Sequence, residues 1–404
     1  MSIQQNTSTG SGEPGPAPAP RKLYLDRNLH LIFCVTLTVV MGVSSIAPAF
    51  HDIMEALHIT ATQVTWLVTA FTLPGVFLTP VLGILADRYG RKKVLVPALL
   101  AFGVFGALCT LAVSFKMLVA LRFMQGVGAA SLGALNVTIL SDLYDGPDRI
   151  TAMGYNAGVL SFGTTLFPLL GGALATLGWR WPFVLPILAI PLGIVVLLKL
   201  DCPRPDNGGA FMEYMKMAIR RATAPRALAL FGTTCATFII LYGMLVSFLP
   251  LYLASRFKAE PWAIGVIIAS ASLTTALMSA RLGALAKAMS LHWLLVLAFV
   301  LYAVSAALTP LMPGLWWVLI PVLIFGMAQG LNIPTVQTLL AGLAPMEQRG
   351  AFMALNGTVL RIGQTLGPII MGAAYAAGGM NGVFAMAAFI ALAVGVLVLI
   401  MIRD

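Results

Sequence analysis

Negative charge is scarce in this chain. Asp and Glu number 14 in 404 residues, charged side chains of either sign make up 9%, and 59% of residues are hydrophobic, with a mean hydropathy of +0.94. Roughly a quarter of the residues of a soluble domain are charged, so this composition excludes one and points to a lipid bilayer as the partner. Cysteine is also rare. Cys34, Cys109, Cys202 and Cys235 form no CxxC pair and stand beside no His cluster, so neither a disulfide framework nor a metal site is expected. There is no GxxxxGK[ST], HExxH or GxSxG, hence no nucleotide loop, zinc hydrolase site or nucleophile elbow. No cofactor and no enzymatic activity are expected, and any power must come from ion or solute gradients.

What is present is a series of apolar runs. Each crossing of a bilayer needs about 20 mostly apolar residues. The spacing predicts spans over 29–50, 62–84, 94–114, 117–139, 151–177 and 181–200, then over 227–252, 261–283, 290–310, 315–341, 351–377 and 381–402. The expectation is an all-α membrane protein of twelve transmembrane helices in two six-helix bundles, 29–200 and 227–404. A polar tail rich in Ser, Thr, Gly and Pro, without the basic start and apolar run of a signal peptide, precedes them over 1–28 and reads as disordered and cytosolic. A cytosolic linker over 201–226 joins them, with a short amphipathic run from Phe211 to Ile219.

Charge placement sets the orientation. Of 24 basic residues, eighteen fall in loops and tails on one side, among them Arg88, Arg91, Lys92, Lys93, Arg220 and Arg221, and four on the other, Lys116, Arg180, Arg256 and Lys258. Short loops rich in Lys and Arg stay cytosolic, so both termini are expected inside, in a bacterial inner membrane. Topology thereby accounts for most of the net charge of +10, and nucleic-acid binding is not expected. Trp179, Trp181, Trp262, Trp316 and Trp317 stand near outer span ends and read as interface anchors.

The halves repeat. Asn156, Leu160, Gly163, Thr165, Leu166 and Pro168 recur as Asn356, Leu360, Gly363, Thr365, Leu366 and Pro368, an offset of 200 residues. Arg149 and Arg349, and Gly83, Leu85, Ala86 and Gly283, Leu285, Ala286, share it. Such a parallel repeat of six spans each implies two bundles related by an axis along the membrane normal, with a solute path between them.

The run Gly83-Ile84-Leu85-Ala86-Asp87-Arg88-Tyr89-Gly90-Arg91-Lys92-Lys93 resembles the signature loop between the second and third helices of the major facilitator superfamily. The resemblance implies alternating access, with this loop latching the halves on the cytosolic side when the outer side is open. Both glycines are expected to serve a tight turn, and Asp87 to accept from basic side chains and helix N-terminal amides. The second-half copy carries Lys287 in place of Asp87, which implies a lost latch. Leu118, Arg122, Gln125 and Gly126 resemble the fourth-helix motif of the twelve-helix drug and proton antiporter branch, whose arginine is associated with proton coupling. Gly163, Pro168, Gly171 and Gly172 resemble the fifth-helix motif of exporters, with Phe167 in place of the usual glycine, and Gly363, Gly367, Pro368 and Gly372 form a variant of it. At these spacings small residues let helices approach closely, so packing is the expected role of the glycines.

No acid lies deep in any predicted span, which departs from many multidrug antiporters of that branch. Buried charge in hydrocarbon is costly and usually faces a cavity. Arg122 and Arg361 are therefore the leading functional candidates, although Arg122 is near enough to a span end to snorkel. Arg361 is mid-span, where its fork of donors suits a carboxylate, phosphate or sulfate, while Asp142 is an alternative protein partner for it. Candidate neutral contacts are Asn136, Asn156, Asn332, Gln337, Asn356 and Gln364, each of which has helix-to-helix bonding as its other reading, with Gln329 of the same type. Tyr155, Phe162 and Tyr242, with Trp66, Phe71 and Phe325, are aromatic candidates for an apolar pocket or for ordinary helix packing. The expected function is proton-linked or otherwise gradient-driven efflux of small amphipathic organic solutes by a monomer. The alternatives are an organic-anion or anionic-lipid transporter using Arg361, and a non-transporting receptor or scaffold.

Overall fold

The computed structural model describes residues 23–202, 222–343 and 349–402. The amphipathic run at Phe211–Ile219 and most of the expected tail and linker lie outside them.

Among the described residues, eleven helices are long and apolar enough to cross a membrane: α1 Arg27–Ala56, α2 Ala61–Tyr89, α3 Arg91–Leu111, α4 Phe115–Leu143, α5 Gly146–Ala175, α6 Trp181–Lys199, α7 Pro225–Phe257, α8 Pro261–Ala288, α9 Leu291–Leu311, α10 Leu315–Leu343 and α11 Arg349–Met401. At 1.5 Å per residue, 28 to 30 residues give about 45 Å, enough for a hydrocarbon core of roughly 30 Å with some tilt. Their starts are coded locally. Asp26 accepts from the Asn28 amide at 2.8 Å, Thr60 and Gln63 form a reciprocal capping box, and Ser114 accepts from the Met117 amide at 3.3 Å. The spans expected at 351–377 and 381–402 are one element, α11, of 53 residues, broken by non-helical backbone at Gly378 and Gly379. A Cβ on Gly382 would strike the Ala374 carbonyl, so the chain folds back on itself there.

The contacts repeat six helices apart. Within the first six, α1 packs on α5, α2 on α4, and α3 on α4. The same three pairings recur as α7 on α11, α8 on α10 and α9 on α10. Between the two groups α2 meets α11 and α5 meets α8, the same pairing six helices on.

One end of the molecule, here the terminal face, gathers the start of α1, the turn from α2 to α3, and the ends of α4 and α6. Arg27 pairs with Asp201 at 2.9 Å, Lys92 donates to the Leu200 carbonyl at 3.0 Å, and Arg91 pairs with Asp142. The opposite, far face gathers the other ends, where Trp66 stands by Phe115, Arg180 donates to the Ala112 carbonyl and Trp262 stands by Trp316. Of the tryptophans expected at this end, Trp181, Trp262, Trp316 and Trp317 are exposed and Trp179 is half-buried.

Candidate functional site

The two groups press together on the far half and part on the terminal half. On the far half α5 and α8 have no room for side chains: a Cβ on Gly172 would come within 2.5 Å of the Pro261 carbonyl, and one on Gly265 would strike the Pro168 carbonyl. Gly171 meets the Ser45 carbonyl of α1 just as closely. Toward the center, Thr365 of α11 donates to Thr72 of α2 at 3.0 Å, and Thr69 donates to the Thr365 carbonyl at 3.5 Å. On the terminal half, by contrast, Gly83, Gly158, Gly283 and Gly357 have nothing within 4 Å of a built Cβ. The contacts that hold the two groups together are thus on the far half, while these four positions on the terminal half stand in open space.

Arg361 stands one helical turn inward of that threonine contact. Its side chain crosses from α11 to the first group, where a Cβ on Gly75 would lie 2.9 Å from Cδ and 3.1 Å from Nε, and one on Gly133 would lie 3.5 Å from Nη2. The two glycines form the groove that admits the guanidinium. Tyr242 of α7 and Gln364 complete the surroundings, with Tyr242 near both Arg361 and Gln364. No ion pair joins Arg361 to a carboxylate among the described residues. Asp142, weighed as its partner from the sequence, sits on the terminal face and pairs with Arg91 instead. Tyr242 owes its position to a π-helical stretch, Leu241–Phe248, a feature that recurs at functional sites.

The buried amides form two knots. In the first group Thr36 of α1 donates to Asn156 Oδ1 at 2.5 Å and receives a bond from Asn136, joining α1, α4 and α5. In the second, Thr234 donates to Asn356 Oδ1 at 2.8 Å and Thr237 receives a bond from Asn332 at 2.5 Å, joining α7, α10 and α11. Helix-to-helix bonding thus accounts for one face of each of these four asparagines. Gln337 is exposed and lines a pocket beside the second knot. Gln329 accepts from Tyr302 within the second group. Tyr155 and Phe162 are exposed on α5 and stand outside both knots. Phe325 is buried, and Trp66 is exposed at the far face. Thr36, Thr72, Thr234, Thr237, Gly75 and Gly133 were not singled out from the sequence. The only available signal was the paired Thr165 and Thr365 of the repeat.

Arg122 does not snorkel. It is fully buried, donates from Nε to the Leu67 carbonyl at 3.3 Å and from Nη1 to Gln125 Oε1 at 2.7 Å, and lies 4.3 Å over the Phe71 ring. It is sealed within the first group because Gly126 lets α4 approach the Phe71 backbone of α2 with no space for a Cβ.

In the signature loop only Gly90 makes the turn, with φ +101°, a conformation that favors glycine. Gly83, expected to share that role, is inside α2. Asp87 lies 3.5 Å from Arg91, which also holds Asp142, so the three form a network within the first group. Arg88 lies 5.6 Å from the Tyr89 ring. Among the motif glycines, a Cβ on Gly163 would be 2.9 Å from Leu37, one on Gly363 2.5 Å from the Cys235 carbonyl, and one on Gly367 2.8 Å from the Ile239 carbonyl. Pro168 and Pro368 are buried within their helices.

Two repeated groups of membrane-length helices that meet through α2, α5, α8 and α11 have the architecture of a solute carrier. The profile of the Major Facilitator Superfamily matches residues 32–262 and 233–404, and the chain belongs to that family. It is 25% identical over 367 residues to the bacillibactin exporter of Bacillus subtilis (strain 168), covering 86% of this chain and 89% of the relative. Multidrug resistance protein 2 of the same organism is 23% identical over 82% of this chain and 84% of its own. Among solved structures, a bacterial homolog to the human lysosomal transporter Spinster, in an inward-facing and unoccupied conformation, matches with a TM-score of 0.74 at 17% identity, over 95% and 96% of the two chains. The human organic anion transporter MFSD10 matches with a TM-score of 0.67 at 18% identity, over 92% and 99%. The protein is a secondary transporter of small molecules across a membrane and not an enzyme, which sets aside the scaffold reading.

Proposed function

We propose that this protein exports amphipathic organic compounds that carry an anionic group, by alternating access between two six-helix halves. In this reading the break at Gly378–Gly379 makes α11 two crossings, twelve in all, within the bundles 29–200 and 227–404, and the terminal face is cytosolic in a bacterial inner membrane. The observation that carries it is Arg361: a mid-span guanidinium laid across the junction of the halves, with no carboxylate paired to it among the described residues. Charge held at such a site is costly unless it faces water or a ligand, and a planar fork of donors favors a carboxylate or phosphate. Export is supported by the name of one Bacillus relative, the bacillibactin exporter, and the fifth-helix motif is consistent with it. Proton linkage is supported by the Arg122–Gln125 pair alone. The signature loop, bound within the first group here, is free to latch across the halves when the terminal side closes.

The test is flux into inside-out proteoliposomes, comparing an anionic amphiphile with a cationic dye, each with and without a pH gradient. Saturable uptake of the anion alone, stimulated by the gradient, is expected. Uptake of the dye in preference to the anion contradicts the anionic assignment, and indifference to the gradient contradicts proton linkage.

A further inference from the structure

A groove of about 300 Å³ lies between the first turns of α7 and α11, walled by Leu228 and Phe231 of α7 and by Leu355, Thr358 and Val359 of α11. Its walls are apolar throughout, and Thr358 turns its hydroxyl back on its own helix, toward the Ala354 carbonyl at 3.4 Å. Ala222 stands in the same wall, and it is the first described residue after the linker. We infer that this groove is the docking site of the linker segment 211–219, whose apolar side enters it and ties the linker to the second helix group.

The sequence of the segment fits the groove. Phe211, Met215, Ala218 and Ala222 recur at intervals of four, three and four, the spacing of one helix face, and Met212 and Ile219 flank that stripe. Glu213, Lys216 and Arg220 fall on the other side. The stripe therefore runs into the groove through Ala222, which is itself helical and precedes the turn at Thr223 and Ala224 and the first residue of α7, Pro225. Met215 precedes Ala222 by two helical turns, about 10 Å at 1.5 Å per residue, so no intervening loop has to be spanned. The groove is level with the first three turns of α7 and α11, a depth at which an amphipathic segment buries its apolar side and keeps Lys and Arg in water.

An acyl chain is the other apolar occupant such a groove admits, but the linker is joined to the groove wall and is present there at high effective concentration. At its other end the linker is held on the first group, where Asp201 pairs with Arg27 and its amide donates to Asn28 Oδ1 at 3.2 Å. Pro203, Pro205, Gly208 and Gly209 then separate that anchor from the stripe. Residues 202–210 are thus left to take up movement between the groups, while the docked stripe travels with α7 and α11.

The experiment places the photoreactive residue p-benzoylphenylalanine at position 215 or, in a separate protein, at position 220 of the full chain, held in nanodiscs of phosphatidylethanolamine and phosphatidylglycerol. Position 220 is closer to the groove along the chain but off the stripe, so nearness alone gives the reverse order. After illumination, attachment from position 215 to peptides containing 228–231 or 355–359 is expected to exceed that from position 220 by about fivefold. Leu228→Trp, at an exposed position on the rim, should fill the groove and lower attachment from position 215 about threefold, with the melting temperature unchanged. Equal attachment from the two positions, or none from 215, overturns the docking site. Attachment from 215 mainly to lipid also overturns it and assigns the groove to an acyl chain, and attachment mainly to first-group peptides, or to a second copy as a cross-linked dimer, overturns it as well.

Discussion

Two arginines, Arg122 and Arg361, lie away from the span ends, and they stand in opposite environments. Arg122 is enclosed by its own helix group, with a carbonyl, an amide oxygen and an aromatic face around it. Arg361 crosses from one group to the other and rests against glycines that provide room, with Tyr242 beside it and no carboxylate paired to it among the described residues. The first is built into the structure of a bundle. The second is placed where the groups meet and part, so its surroundings change whenever they move. Charge within a membrane helix is therefore not itself a sign of solute contact; what matters is whether the protein has already supplied its partners.

That contrast can be broken most sharply at Arg122. Arg122→Met should cost about 3 kcal/mol of stability, because it removes charge-assisted bonds and leaves the Leu67 carbonyl and Gln125 without their donor. Thermal unfolding in detergent should show a large drop, whereas Arg361→Ala should melt within a few degrees of wild type and lose affinity for anions. Equal destabilization by the two substitutions would erase the distinction.

The tight far half and the open terminal half give the next test. Gly171→Ala should cost roughly 2 kcal/mol, since its methyl group would meet the Ser45 carbonyl and overpacking cannot relax against backbone. Gly158→Ala, in open space, should be neutral or slightly stabilizing through helix propensity. A matched pair of melting curves decides it.

A smaller effect is expected where the groups touch. Thr72→Val and Thr365→Val should each lose about 0.6 kcal/mol, and a double-mutant cycle should return a coupling of similar size, as for other hydrogen bonds between membrane helices. Distance probes across the far face should report a shift away from the closed arrangement. Asp87→Asn should act at the other end, weakening the network with Arg91 and changing the populations of the two states while leaving the melting temperature nearly unaltered. Identical populations in wild type and variant would remove the signature loop from the conformational balance.

Much of this protein was legible in the sequence because a bilayer imposes simple rules. Spans follow from apolar length and duplication from residues 200 apart, both of them properties read along the chain. The observed helices follow the predicted spans to within a few residues at most boundaries. The roles of individual polar residues were not legible. Arg122 and Arg361 look alike in sequence, and Asn136 and Asn332 gave no hint that Thr36 and Thr237 hold them. Gly75 and Gly133, from two other helices, make the groove for Arg361, and a π-helical stretch carries Tyr242 beside it. These are relations between helices far apart in the chain, and only tertiary packing decides which donor reaches which acceptor and which is left for a solute.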